Sequence, residues 1–228
     1  MNEEKIFKVT PSGLDYALKC KRCLWLAYKG IRLDAFFPPI FNAFDLIQKK
    51  FLSTKSIKLM SESLPDGRVM TELKGSIGSS ILRDKKERPF IINGRTDIVI
   101  EFKTEPKKYG IIDLKTTNLS PSKIENYKLQ LESYATIFEN PNSKTPKFTK
   151  IEELGLYLFE PKEIANISNT SCNMKFETLY LKGARCHDHL INRVTNIIDI
   201  YLMRSVPDYN PACSSCKFVL SLKKENYI

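Results

Sequence analysis

Asp113-Leu114-Lys115 follows the apolar run Tyr109-Gly110-Ile111-Ile112 and reads as the end of a β-strand. Side chains alternate across a sheet, so Asp113 and Lys115 share one face while Ile112 and Leu114 take the other. An isolated Asp-x-Lys is most simply a strand end entering water. Asp97 changes that reading. It follows Asn93-Gly94, a pair suited to a tight hairpin turn, on what reads as the preceding strand. Pairing of the two strands would bring Asp97 and Asp113 to one sheet end. Two clustered carboxylates repel each other unless a cation lies between them, and their hard oxygens suit Mg²⁺ or Mn²⁺. A nearby Lys115 ammonium could then orient the attacking water or stabilise charge building on a phosphate in the transition state. Gln130 and Tyr134, at i and i+4 on the helix expected next, face the same region, although Tyr134 among Tyr127, Leu131 and Phe138 is by default a core aromatic.

Cys20-Lys21-Arg22-Cys23 and Cys213-Ser214-Ser215-Cys216 form two Cys-x-x-Cys pairs near opposite ends of the chain. Four thiolates make a complete metal site, either Zn²⁺ in tetrahedral sulfur coordination or a [4Fe–4S] cluster, and spacing does not separate the two. A thioredoxin-like redox role needs one such pair at a strand-to-helix junction, whereas the first pair here falls within or at the end of a helix. Closing a loop over nearly the whole chain gives the site a structural purpose. Cys172 and Cys186 lack partners at suitable spacing and read as ordinary thiols. His187 and His189, two apart on a helix, diverge in direction and do not make a joint metal site.

These residues must be positioned by an alternation of helices and strands. A first helix is expected from Ser12 to about Tyr28, with Ser12 as N-cap, Asp15 three residues on, Leu14, Ala17, Leu18 and Trp25 at helical spacing, and Gly30 as terminator. A second follows Pro38-Pro39 and runs to about Leu52, with Ile40, Phe44, Ile47 and Phe51 on one face. Residues 53–88 show little periodicity and read as an irregular or partly helical insertion. Strands are expected at Pro89 to Ile92, Arg95 to Phe102 and Tyr109 to Lys115, then a helix from Ser120-Pro121 to about Phe138. Leu154 to Phe159, bounded by Pro161, and Met174 to Leu181 complete the strands. A long helix spans Ala184 to Met203 with Leu190, Val194, Ile197 and Tyr201 on one side, and the tail, residues 205–228, is loop-rich and bears cysteines.

A chain of 228 residues is long enough for one core of ordinary size, so 1–228 is expected to be a single domain. Hydrophobic residues at 42% and charged residues at 27% argue against disorder. No apolar run approaches the roughly 20 residues needed to cross a bilayer, and Met1-Asn2-Glu3-Glu4-Lys5 lacks the character of a secretory leader. A cytoplasmic protein with no membrane association is expected. The formal charge of +10, from 36 Lys plus Arg against 26 Asp plus Glu, favours an anionic partner such as nucleic acid, although a Lys-rich proteome would give similar totals.

Taken in order, Asn93-Gly94-Arg95-Thr96-Asp97, Asp113-Leu114-Lys115 and Gln130-Leu131-Glu132-Ser133-Tyr134 resemble the Gly-x-x-Asp, Asp-x-Lys and Gln-x-x-x-Tyr motifs of the RecB-like branch of the PD-(D/E)XK nucleases. The resemblance implies an α/β fold with a central mixed β-sheet flanked by helices and hydrolysis of DNA phosphodiesters. It also implies a divalent ion held by Asp97, Asp113 and the Leu114 carbonyl, with Lys115 assisting the water and Gln130 and Tyr134 holding the DNA backbone or bracing the catalytic groups. That branch uses an upstream helical acid or His as a further ligand. The matching segment, Phe41-Asn42-Ala43-Phe44-Asp45, places that role on Asp45, which on a helical wheel lies beside Phe41, Gln48 and Leu52. Several RecB-like and CRISPR-associated nucleases join an N-terminal segment to the C-terminal tail through a four-cysteine iron–sulfur site, often dividing the cysteines one and three. Here the division is two and two, so zinc stays open. DNA repair, recombination or CRISPR-type processing, with protein partners in a repair or adaptation complex, are the implied settings. A non-cleaving DNA-end clamp of the same fold and a metal-stabilised scaffold are the alternatives.

Overall fold

A computed structural model describes residues 4–31, 38–71, 73 and 75–225; the side chains of 15–18 lie outside it, and with them the expected parts of Asp15, Ala17 and Leu18. In chain order the elements are β1 (Phe7–Val9), α1 (Pro11–Lys19), α2 (Lys21–Tyr28), α3 (Pro39–Leu52), a short 3₁₀ helix (Ile57–Leu59), β2 (Gly67–Val69), β3 (Ile77–Gly78), β4 (Leu82–Arg83), β5 (Pro89–Gly94) and β6 (Ile98–Phe102). There follow β7 (Tyr109–Thr116), α4 (Lys123–Glu139), β8 (Ile151–Ile167), β9 (Cys172–Gly183), α5 (His187–Tyr201) and α6 (Ser214–Lys224). The expected mixed α/β architecture is present.

The larger sheet has the order β2-β6-β7-β8-β9, with β7 and β8 parallel and the other neighbours antiparallel. Strand alternation divides its residues between two cores. Val99, Ile111, Leu154, Leu156 and Leu158 face α4 and α5, packing with Leu131, Phe138, Leu190, Val194 and Ile197. Ile98, Ile100, Phe102, Ile112, Leu114 and Tyr157 face the other way, onto Leu52, Ile57, Met60 and Leu64. Asp113, between Ile112 and Leu114, is therefore turned to the α4 side. Residues 53–88, expected to be patternless, supply β2, β3, β4 and the three apolar residues of this second core that follow α3. Their strands are two or three residues long, too short to show a period.

The expected hairpin at Asn93-Gly94 is not formed. Those residues end β5, which belongs to a second, smaller sheet with β1, β3 and β4 and pairs there with Gly78 and Ile77. Gly94 is needed for close approach instead of turn geometry: a Cβ on it would lie 2.8 Å from Pro11 Cγ and 3.0 Å from Tyr134 Cε1. Asp97 accordingly sits just ahead of β6 rather than on a strand.

The first helix also differs from expectation. It starts at Pro11, at the position where proline's missing N–H costs nothing, with the Thr10 hydroxyl accepting from the Gly13 amide at 3.1 Å, so Thr10 takes the part expected of Ser12. It breaks at Cys20, which has extended backbone angles (φ −162°, ψ 111°), and α2 begins afresh. Gly30 ends α2 with φ +85°. β8 runs through Pro161 with a register shift there, and the tail after Pro207 forms α6 instead of loop alone. No described helix is long and apolar enough to cross a membrane.

Candidate functional site

The site lies where β7 ends, between α3 and α4. Asp113 is 2% exposed. Its Oδ1 accepts from Gln130 Nε2 at 3.0 Å, and the same amide nitrogen donates to Tyr134 Oη at 3.1 Å. Its Oδ2 faces Lys115 Nζ at 2.7 Å, yet no hydrogen-bond donor among the described residues is aligned on that buried oxygen. The Lys115 ammonium lies 4.8 Å from the centroid of the Tyr127 ring, which covers it from α4. The shared face expected for Asp113 and Lys115 is thus present, as is the helical pair behind it. Gln130 and Tyr134 are both buried, and Gln130 links the Asp113 carboxylate to the Tyr134 hydroxyl.

Asp97 reaches the same place from the segment just ahead of β6. Its Oδ2 accepts from the Leu114 amide at 2.8 Å, which fixes its carboxylate against the backbone between Asp113 and Lys115. Its Oδ1 meets Lys49 Nζ at 2.7 Å, and the same ammonium meets Asp45 Oδ2 at 2.7 Å. Asp45 is therefore joined to the site through Lys49. Sequence reasoning missed Lys49, although Asp45 and Lys49 stand at i and i+4, the spacing of a helical ion pair. The side of α3 turned to the site is polar: Gln48 is buried and reaches Thr116 Oγ1 at 3.4 Å. Of the apolar face expected for α3, Ile40, Ile47 and Phe51 are exposed, and Phe44 is half-buried, stacked on Phe176 of β9 at 4.9 Å. With its polar stripe turned inward, α3 supplies the Lys49 ammonium as counter-charge to the Asp97 and Asp45 carboxylates.

Electrostatics follow from this geometry. Burial pushes the Asp113 carboxyl up to about 7; Lys115 opposes the rise and Asp97 adds to it. Burial works against the charge of Lys115, but Asp113 and then Asp97 outweigh it and hold the ammonium above the ordinary lysine value. The same balance holds for Lys49 between Asp45 and Asp97. Hard oxygens, one of them buried without an aligned donor, suit a hard divalent cation. Asp45, Asp97 and Asp113 are not drawn into one compact ligand group, because an ammonium separates Asp45 from Asp97.

The cysteines are compact. The sulfurs of Cys20, Cys23, Cys213 and Cys216 all lie within 4.8 Å of one another, with Cys20 and Cys216 at 3.5 Å and Cys23 and Cys213 at 3.6 Å. Each pair straddles a helix start. Cys20 caps α2 and accepts from the Cys23 amide at 3.5 Å, and Cys213 caps α6, where the Cys216 amide, and after it the Cys23 and Cys20 thiols, bring its thiol down to about 7 against burial. Burial and the neighbouring sulfurs push Cys23 well up, the penalty expected of crowded thiols without a cation. Four sulfurs at about 2.3 Å from one tetrahedral ion are separated by about 3.8 Å; the two pairs at 3.5 and 3.6 Å are slightly closer, and all lie within 4.8 Å. Neighbouring contacts tie the same ends together: Arg22 Nη1 donates to the Pro207 carbonyl at 2.8 Å, Trp25 Nε1 to Met203 at 3.1 Å, and Tyr28 stacks on Tyr201 at 4.1 Å. Cys172 is exposed and Cys186 donates to the Lys128 carbonyl at 3.6 Å, both outside this group.

No protein-family model matches the sequence, and neither does any curated protein. Among solved structures, that of SSO0001 superposes with a TM-score of 0.53 at 14% identity, over 96% of this chain and 86% of the other. The alkaline exonuclease LHK-Exo from Laribacter hongkongensis gives a TM-score of 0.37 at 10% identity, over 96% and 93% of the two chains. The first likeness shows a common fold; the second is too distant to bear on fold or function.

Proposed function

We propose that this chain is a metal-dependent nuclease that hydrolyses phosphodiester bonds in DNA. One observation carries the reading: a carboxylate buried to 2% exposure, Asp113, is held by Gln130 and Lys115 beside Asp97, with an oxygen left without an aligned donor. Burying such a group costs free energy that a surface ion pair would avoid, and carboxylates perturbed in this way cluster at functional sites.

In this reading Asp97, Asp113 and the Leu114 carbonyl hold Mg²⁺ or Mn²⁺, and Asp45 extends the site. The bound ion would polarise a phosphate oxygen and lower the pKa of a water. Lys115 orients that water and offsets charge developing on the phosphate, while Gln130 and Tyr134 hold Asp113 in place. Water adds to phosphorus, the bond to one sugar oxygen breaks, and that oxygen leaves with a proton. The excess of ten positive charges favours the polyanion, with affinity that falls as salt is added. The cysteine centre takes a single zinc ion, since its sulfurs are spaced for one tetrahedral cation and a cluster of four irons would hold them farther apart. Its part is structural. The compartment is the cytoplasm, where thiols stay reduced.

Labelled single- and double-stranded DNA incubated with Mg²⁺ or Mn²⁺, beside the Asp113→Ala and Lys115→Ala variants, tests the activity. Cleavage lost in both variants is expected. Binding without cleavage would replace the enzyme with a DNA clamp, and neither would leave a scaffold. Metal content and visible absorption of anaerobically purified protein test the centre: one colourless zinc per chain is expected, and a brown iron-bearing protein overturns that assignment.

A further inference from the structure

Lys49 does not behave as a surface lysine. Its side chain is only 25% exposed, and its ammonium stands 2.7 Å from Asp45 on its own helix and 2.7 Å from Asp97 across the sheet end. An ammonium is a compact point charge with three donors; here it donates to Asp45 and its charge also pairs with Asp97. The remaining Asp97 oxygen is held by the Leu114 amide, and the Asp113 oxygens face Gln130 and Lys115. Three carboxylates thus face two ammoniums, and the cluster is nearly neutral without any bound ion.

We infer that Lys49 is an internal occupant of the cation seat between Asp45 and Asp97, so that a divalent ion loads by displacing its ammonium. The inference rests on the metal-dependent reading above and deepens it. A divalent ion needs oxygens at about 2.0–2.1 Å, and a second cation on the same two oxygens would meet it at repulsive range. Loading therefore breaks the charge-assisted hydrogen bond to Asp45 and the ion pair to Asp97 that the resting site already makes. Two consequences follow. The site keeps its shape without metal, and its affinity for metal is lower than its oxygens alone would give.

The test is Mn²⁺ titration of the full chain, its cysteine centre left loaded, with free Mn²⁺ read by electron paramagnetic resonance. Lys49→Gln keeps a donor on a stem one bond shorter but loses the charge; Lys49→Met keeps most of the length, removes donor and charge alike, and guards against a folding artefact in either variant. Both are expected to bind Mn²⁺ roughly tenfold more tightly than the unaltered chain, the smallest change that loss of one charge-assisted bond allows. A lysine that merely braces Asp97 gives the opposite sign, because its loss loosens a ligand. Equal or weaker binding in both variants overturns the inference while leaving the metal site standing. An absence of any Mn²⁺ binding sensitive to Asp97→Asn, in all three proteins, overturns the metal-dependent reading itself.

Discussion

Replacing Asp113 with Asn separates what this carboxylate costs the fold from what it does in the site. In the folded chain burial raises its pKa from 3.8 to about 7, so the fold keeps a proton that the unfolded chain has already lost. The sign follows from linkage: stability falls as pH rises from about 4 to about 7, and the whole penalty applies above that range. At about 1.4 kcal/mol per pKa unit the upper limit is about 4 kcal/mol at pH 8, and about 2 kcal/mol at pH 5. Asn stands in for the neutral acid, whose folded state already lacks the charge that faces Lys115 at 2.7 Å, so that contact is contained in the shift. The gain is therefore at most about 4 kcal/mol at pH 8 and about 2 kcal/mol at pH 5. For a chain of this length these limits correspond to roughly 8–16 °C and roughly 4–8 °C in melting temperature. Thermal unfolding in chelator at the two pH values reads it directly. The variant is expected to melt higher than the unaltered chain at both, by about twice as much at pH 8 as at pH 5, and to lose metal-dependent cleavage. A variant that is less stable at both, or offset equally at both, refutes the reasoning about burial.

Other residues give further outcomes. Cys20→Ser opens a crosslink between positions 196 residues apart; it should abolish zinc retention and lower the melting temperature, with loop-closure entropy setting a ceiling on the order of 5 kcal/mol, whereas the exposed Cys172→Ser should alter neither metal content nor melting. Gly94→Ala places a methyl 2.8 Å from Pro11 and 3.0 Å from Tyr134, and overpacking of that kind costs about 1–3 kcal/mol in denaturant unfolding. Gln130→Ala strips Asp113 Oδ1 of its 3.0 Å donor, costing about 1–3 kcal/mol by the same measurement, while Tyr134→Phe, which removes an acceptor one bond further out, should cost less.

Much of the site was legible in the chain because it depends on short-range rules. Alternation along one strand places Asp113 and Lys115 together, and a helical i, i+4 relation places Tyr134 next to Gln130; both are consequences of backbone geometry that no tertiary contact can change. Two Cys-x-x-Cys pairs announce a four-sulfur centre whatever the fold. The Asn93-Gly94 reading failed for the complementary reason. A glycine can satisfy a turn or a close approach, and only the arrival of Pro11 and Tyr134 from distant parts of the chain selects the second. The short strands of residues 67–83 were illegible because two or three residues carry no period.

By itself, then, the sequence determined which side chains could share a face and how many sulfurs could meet, since those follow from local spacing. Tertiary structure alone decided what surrounds them. It turned the polar stripe of α3 inward against its own apolar pattern, and so brought Lys49 between Asp45 and Asp97, where one ammonium offsets two carboxylates. It also drew the sulfurs to 3.5 and 3.6 Å, a convergence that pairs nearly two hundred residues apart cannot encode in their own intervals.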